Sequence, residues 1–143
     1  VVVDYLQLMS RGRRVESRQQ EVSEFSRGLK LLAKELGVPL VAVSQLNRGS
    51  EQRQDKRPVL SDLRESGSLE QDCDIAVLVH RDDMYEKECA RAGEADFIVA
   101  KNRHGALDTV TVAFQGHYAR FVDMARGTEP GTPAPPYGLR AVD

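Results

Sequence analysis

The chain sets short, continuous apolar runs against one long helical stripe. Val1 to Val3 form an apolar, β-branched run that Asp4 ends. From Ser17 to Leu36 the apolar residues Val22, Phe25, Leu29, Leu32 and Leu36 recur at 3, 4, 3, 4 spacing, which predicts one amphipathic helix with a core-facing stripe. Ser17 with Gln20 fits a capping box, Glu21 and Glu24 lie near the start, and Lys30 and Lys34 lie near the end, as the helix dipole favours. Gly37 ends the helix and Pro39 follows. Val38 to Val43 is a second apolar run. Strand, helix and strand predict a βαβ unit with parallel strands and a right-handed crossover. Ile75 to Val79 is too short for a typical helix and reads as a buried strand. Ala95 to Ala100 reads as another strand. Thr109 to Phe114 alternates, with Val110, Val112 and Phe114 on one face and Thr109 and Thr111 on the other. That period predicts an antiparallel strand, with Tyr118 to Val122 pairing back across Gly116.

The stretches between are polar. Arg11 to Arg14 is a basic, glycine-containing loop. Asn47 to Pro58 has no apolar residue and reads as a mobile, solvated loop. Arg81 to Gly93 is a charged loop that reads as surface, tolerant of length changes. Gly127 to Gly138 holds most of the prolines and reads as a disordered tail. The expected division is therefore a folded unit over 1–125 and a Pro/Gly-rich tail over 126–143.

Composition narrows the classes. The 143 residues are 41% hydrophobic and 29% charged, enough for a single core. A formal charge of −2 gives no global sign of nucleic-acid binding, so any such binding rests on a local site. Cys73 and Cys89 are not in C-x-x-C spacing and read as free thiols of a reducing compartment, with no zinc site. No apolar run approaches membrane-spanning length, and no stretch reads as a signal peptide. The chain opens on Val-Val-Val in what reads as the middle of a fold, so the expectation is a fragment.

Five positions carry candidate chemistry. An aspartate ending a strand, as Asp4 does, either holds magnesium through water or opens a turn. Gln45, expected at the end of the next strand, either meets a terminal phosphate or faces solvent. Gly67, between Ser66 and Ser68, lets a backbone come close to a ligand or turn into the next strand. Lys101 and Arg103 follow a strand two residues apart and precede Gly105. They form either a cation pair presented to a partner or two solvated charges.

The stretch Ser61 to Asp74, S-D-L-R-E-S-G-S-L-E-Q-D-C-D, resembles the signature of the DnaB family of bacterial replicative helicases. V-V-V-D-Y-L-Q-L-M at residues 1–9, S-Q-L-N-R at 44–48 and K-N-R-H-G at 101–105 resemble that family's other motifs in the same order, over roughly residues 1–124. The resemblance implies an α/β fold: the C-terminal part of a RecA-like P-loop NTPase domain, a mostly parallel sheet with an antiparallel hairpin. It implies an ATP-dependent motor of the bacterial cytoplasm, working at the nucleoid as a homohexamer that pulls single-stranded DNA through a ring. Asp4 would assist Mg2+, and Gln45 would sense the γ-phosphate of ATP. Lys101 and Arg103 would reach the neighbouring subunit's nucleotide, and Arg64, Glu65 and Gly67 would line the DNA path. Primase and a helicase loader would be partners of the full-length protein.

Two features depart from that pattern. Ala106, Leu107 and Asp108 stand where a Pro-Thr-Gly-like segment is usual. No G-x-x-x-x-G-K-[ST] occurs, so the 143 residues alone are expected to be inactive. Another RecA-superfamily ATPase and a non-catalytic remnant that binds DNA or partners remain alternatives.

Overall fold

The computed structural model describes residues 1–9 and 18–124. The Arg11–Arg14 loop, the Ser17 cap and the Gly127–Gly138 tail lie outside the described residues. Strand β1 (Val2–Val3) leads through a short 3-10 turn (Leu6–Leu8) toward helix α1 (Arg18–Leu36). Gly37 follows with a left-handed φ of 62°, which a glycine adopts without steric cost, and the chain turns into strand β2 (Val41–Ala42). β1 and β2 pair in parallel, Val2 beside Val41 and Val3 beside Ala42, as the strand–helix–strand pattern predicts.

One helical turn, α2 (Gly49–Gln52), precedes a 3-10 stretch (Leu60–Ser66), helix α3 (Gly67–Asp72) and strand β3 (Ile75–His80). β4 (Glu94–Asn102), β5 (Thr109–Gln115) and β6 (Arg120–Asp123) complete a four-stranded antiparallel sheet in the order β3-β4-β5-β6. The molecule is thus α/β with a parallel and an antiparallel sheet. Among the described residues the antiparallel sheet is the larger, four strands against two. The continuous apolar run of β3 does not make it a strand buried on both faces. Its burial alternates: Ala76, Leu78 and His80 are buried, while Ile75, Val77 and Val79 are 58%, 52% and 52% exposed.

The α1 stripe likewise forms core over only half its length. Val22 is buried, but Leu32 and Leu36 are 42% and 56% exposed. α1 packs against α3 and the 60–66 stretch. Two polar residues on its packed side, Glu21 and Ser26, are buried as well, and Ser26 Oγ donates to Asp72 Oδ2 at 2.7 Å.

The two charged loops are fastened rather than free. Arg53 makes a two-pronged contact with Asp62 at 2.8 and 2.7 Å. Arg57 Nη1 donates to Asp96 Oδ2 at 2.8 Å. From the 81–93 loop, Arg91 donates to both oxygens of Asp96, at 3.0 and 2.6 Å, while Arg81 pairs with Asp83. Both segments lie largely at the surface, as their composition predicts, while their arginines reach the buried carboxylates Asp62 and Asp96. Sequence composition shows the charges but not the buried carboxylates that receive them.

Candidate functional site

Asp4 and Gln45 both follow the carboxyl end of the parallel pair. Asp4 stands exposed at the bend after β1, and the chain is drawn back by Leu6 N–H donating to Val43 O at 3.0 Å. Gln7 ties the two strand ends together. Its Nε2 donates to Ser44 Oγ at 2.9 Å and to Gln45 O at 3.3 Å, and its Oε1 accepts from Gln45 N–H at 3.3 Å. The Gln45 backbone is pinned on both sides while the residue remains exposed. Sequence reasoning misses Gln7. The available signal is that it is the one amide in the otherwise apolar or aromatic stretch Tyr5 to Met9.

Arg64 and Glu65 fall in the 3-10 stretch, and Gly67 opens α3. This backbone is anchored through Asp62, which is buried. Beyond Arg53, the Asp62 carboxylate accepts from Val59 N–H at 2.8 Å, and Asn47 N–H donates to Asp62 O at 2.9 Å. Arg53 holds the Asp62 carboxyl below its ordinary range, and the Val59 amide adds to that. The Asn47 bond joins the S-Q-L-N-R segment directly to the S-D-L-R-E-S-G segment.

Lys101 and Arg103 reach the far end of α3. Lys101 Nζ donates to Glu70 O at 2.6 Å and Gln71 O at 3.3 Å. Arg103 N–H donates to Asp74 O at 2.8 Å, and its Nη1 lies 3.4 Å from Asp74 Oδ1. A β-bulge aims the lysine. Val77 pairs with Val99 but Ala76 pairs with Lys101, so Ala100 is the extra residue on β4 and Lys101 sits opposite Ala76. The 103–108 turn is closed without a Pro-Thr-Gly segment. Asn102 Nδ2 donates to Ala106 O at 3.2 Å, and the Asp108 carboxylate accepts from Thr109 N–H at 2.7 Å. A Cβ at Gly105 would lie 2.5 Å from Asn102 Nδ2, so any larger residue displaces the amide that closes the turn.

Cys73 and Cys89 are free, and burial pushes the Cys73 thiol up. No group of three or more His, Cys, Asp or Glu side chains able to hold a metal occurs among the described residues. A single exposed carboxylate such as Asp4 still fits magnesium, which keeps several waters and takes one or two carboxylates plus substrate phosphates. No helix among the described residues is long and apolar enough to cross a membrane.

A parallel pair with Asp4 and Gln45 at one end precedes a four-stranded antiparallel sheet that carries Lys101 near the end of β4, an α/β arrangement shared with solved helicase ATPase domains. The model of the DnaB-like helicase C-terminal domain matches residues 1–123, and the chain belongs to that family. It is 72% identical over 125 residues to the replicative DNA helicase DnaB of Leifsonia xyli subsp. xyli, covering 87% of this chain and 27% of that protein. It is 67% identical over 126 residues to DnaB of Mycobacterium leprae, covering 88% of this chain and 21% of the relative. The replicative DNA helicase DnaC of Bacillus subtilis is 52% identical over 137 residues, 92% of this chain and 30% of that protein. Two solved structures superpose with TM-scores of 0.82 at 49% identity over 87% of this chain. One is an ATPase domain, 44% of which is covered, and the other is a DnaB-like replicative helicase studied with primase, 30% covered. The chain spans about a quarter of the length of the curated relatives it matches.

Proposed function

We propose that this chain is part of the motor of an ATP-dependent replicative DNA helicase, a homohexamer that unwinds duplex DNA by translocating on single-stranded DNA. The observation that carries the reading is the shared placement of Lys101 and Arg103 at one end of α3, whose other end follows Arg64 and Glu65. One short helix thus separates the residues read as DNA-facing from those read as nucleotide-facing.

Asp4 would hold Mg2+ through water beside the phosphates of ATP, and the metal would offset their charge. Gln45, its backbone pinned by Gln7, would place its amide against the γ-phosphate and register its loss. Arg103 would enter the neighbouring subunit's site and grip phosphate oxygens with two parallel N–H bonds, with Lys101 as a second point charge. Backbone amides near Gly67, with Arg64, would follow the DNA backbone without reading sequence. In the full-length protein, primase and a helicase loader would be the protein partners.

The test is Arg103→Ala in the intact hexamer. An arginine finger contributes ~10³–10⁵ in rate, about 4–7 kcal/mol of transition-state stabilisation. ATPase and unwinding should nearly vanish while the ring stays assembled. Mixed with subunits lacking only the phosphate-loop lysine, Arg103→Ala subunits should regain hydrolysis, because one kind of mixed interface then has both groups. Mixed rings no more active than either parent, with subunit exchange verified, would end the reading of Arg103 as acting across the interface.

A further inference from the structure

The two cations of the K-N-R-H-G turn are held within their own subunit. Lys101 grips the last carbonyls of α3, and Arg103 rests on Asp74. The two Arg103 contacts differ in kind. The backbone bond to Asp74 O is short at 2.8 Å, whereas the side-chain pair is 3.4 Å apart, with Arg103 and Asp74 side chains 49% and 48% exposed. The turn is therefore fixed while the guanidinium is held weakly and is free to leave, as exposed ion pairs are. Asp74 has a second cation: Lys30 of α1 pairs with its other oxygen. Asp74 is two residues beyond the end of α3, a helix of six residues, or roughly 9 Å at 1.5 Å per residue. Asp72, the last residue of α3, is tied to Ser26 of the same helix α1. Asp72 and Asp74 are thus both fastened to α1, and Asp74 also holds the 103 turn through its backbone carbonyl.

We propose that Asp74 is a positioning residue whose carboxylate holds the Arg103 guanidinium back from the neighbouring subunit's nucleotide when no single-stranded DNA is bound. The proposal rests on Arg103 being the trans-acting cation. Lys30 sets the strength of the hold, because it shares the carboxylate and so weakens its grip on the arginine.

Two substitutions should then act in opposite directions. In the intact hexamer, Asp74→Asn removes the charge but keeps the shape and the backbone carbonyl. ATP hydrolysis without DNA should rise roughly two- to fivefold, the range one exposed pair can supply, while the rate saturated with oligo-dT stays within about twofold. Lys30→Gln leaves the carboxylate to Arg103 alone and should lower the DNA-free rate by about twofold. Damage to the structure would lower both rates in both variants. An assembled Asp74→Asn hexamer whose DNA-free rate is unchanged or lower would overturn the proposal. If that variant does not assemble, an unchanged or raised DNA-free rate in Lys30→Gln overturns it instead. Arg103→Ala separates the two failures: undiminished hydrolysis there removes the finger itself, whereas lost hydrolysis beside an unresponsive Asp74→Asn removes only the holding role.

Discussion

Asp96 shows what a single residue contributes. It is 2% exposed, and it receives Arg91 twice, Arg57 at 2.8 Å and Thr111 Oγ1 at 2.8 Å. A carboxylate this buried stays ionised because Arg91 holds its pKa far below the ordinary range, with Thr111 and Arg57 adding to the effect. Replacing it by alanine takes the carboxylate from Arg57 and leaves Arg91 only Glu94 and Asp82. The expected cost is about 2–3 kcal/mol, between that of an exposed and a fully buried pair because both arginines remain partly solvated. A fall in denaturant midpoint at constant slope would measure it. The pH dependence has a definite sign. Asp96 and Asp62 are both lowered from 3.8, so the stability they supply is complete above that value and is lost as pH falls toward their folded values. Asp96→Asn should therefore flatten the acid limb of the midpoint curve between about pH 5 and about pH 2. An acid limb as steep as that of the parent protein would show that Asp96 does not carry this linkage. The sequence displays Asp96 only as a charge inside an apolar strand. Its partners stand 39 and 5 residues away, in segments whose composition reads as solvent-facing.

At the scale of elements, patterning is informative where one period runs unbroken. The helix over Arg18–Leu36, the parallel β1–β2 pair and the alternating β5 with its return strand all follow from spacing. What spacing cannot show is a change of parity. The extra residue Ala100 places Lys101 opposite Ala76, where regular pairing would have placed it opposite Ile75. Nothing in the sequence marks this, since Ala100 continues the strand pattern. Likewise Asp4, Gln45, Lys101 and Arg103 are visible as candidates, but Gln7, Asp74 and Lys30 are not, because their roles depend on contacts 38 and 44 residues away in the chain. The element most exposed to test is the 3-10 stretch before α3. If it follows the DNA backbone, Arg64→Ala in the intact protein should weaken single-stranded DNA binding about equally for all sequences. The salt dependence should also flatten by about 0.7 in slope, one phosphate contact's share. Titrations at several salt concentrations with unchanged slope and affinity would remove Arg64 from the DNA path.

For the whole molecule, the main question is what covers its apolar faces. Ile75, Val77 and Val79 form an exposed row on β3, and Val41 of β2 and Leu36 of α1 are each 56% exposed. β2 and β3 are also edge strands of their sheets among the described residues, so each offers unpaired backbone groups next to apolar side chains. Water-exposed surface of this kind favours association. The 143-residue chain on its own should therefore self-associate, with light scattering giving a mass that rises with concentration. The outer row of β3 makes the prediction specific. Val77→Thr with Val79→Thr keeps β-branched residues in the strand while making that face polar, and should shift the distribution toward monomer. Leu78→Thr on the inner face should instead loosen the core, because Leu78 is only 3% exposed and its hydroxyl replacement would need a buried partner. A compact monomer at every concentration, or identical scattering from the parent and the Val77/Val79 variant, would show that these faces are not the cause of association.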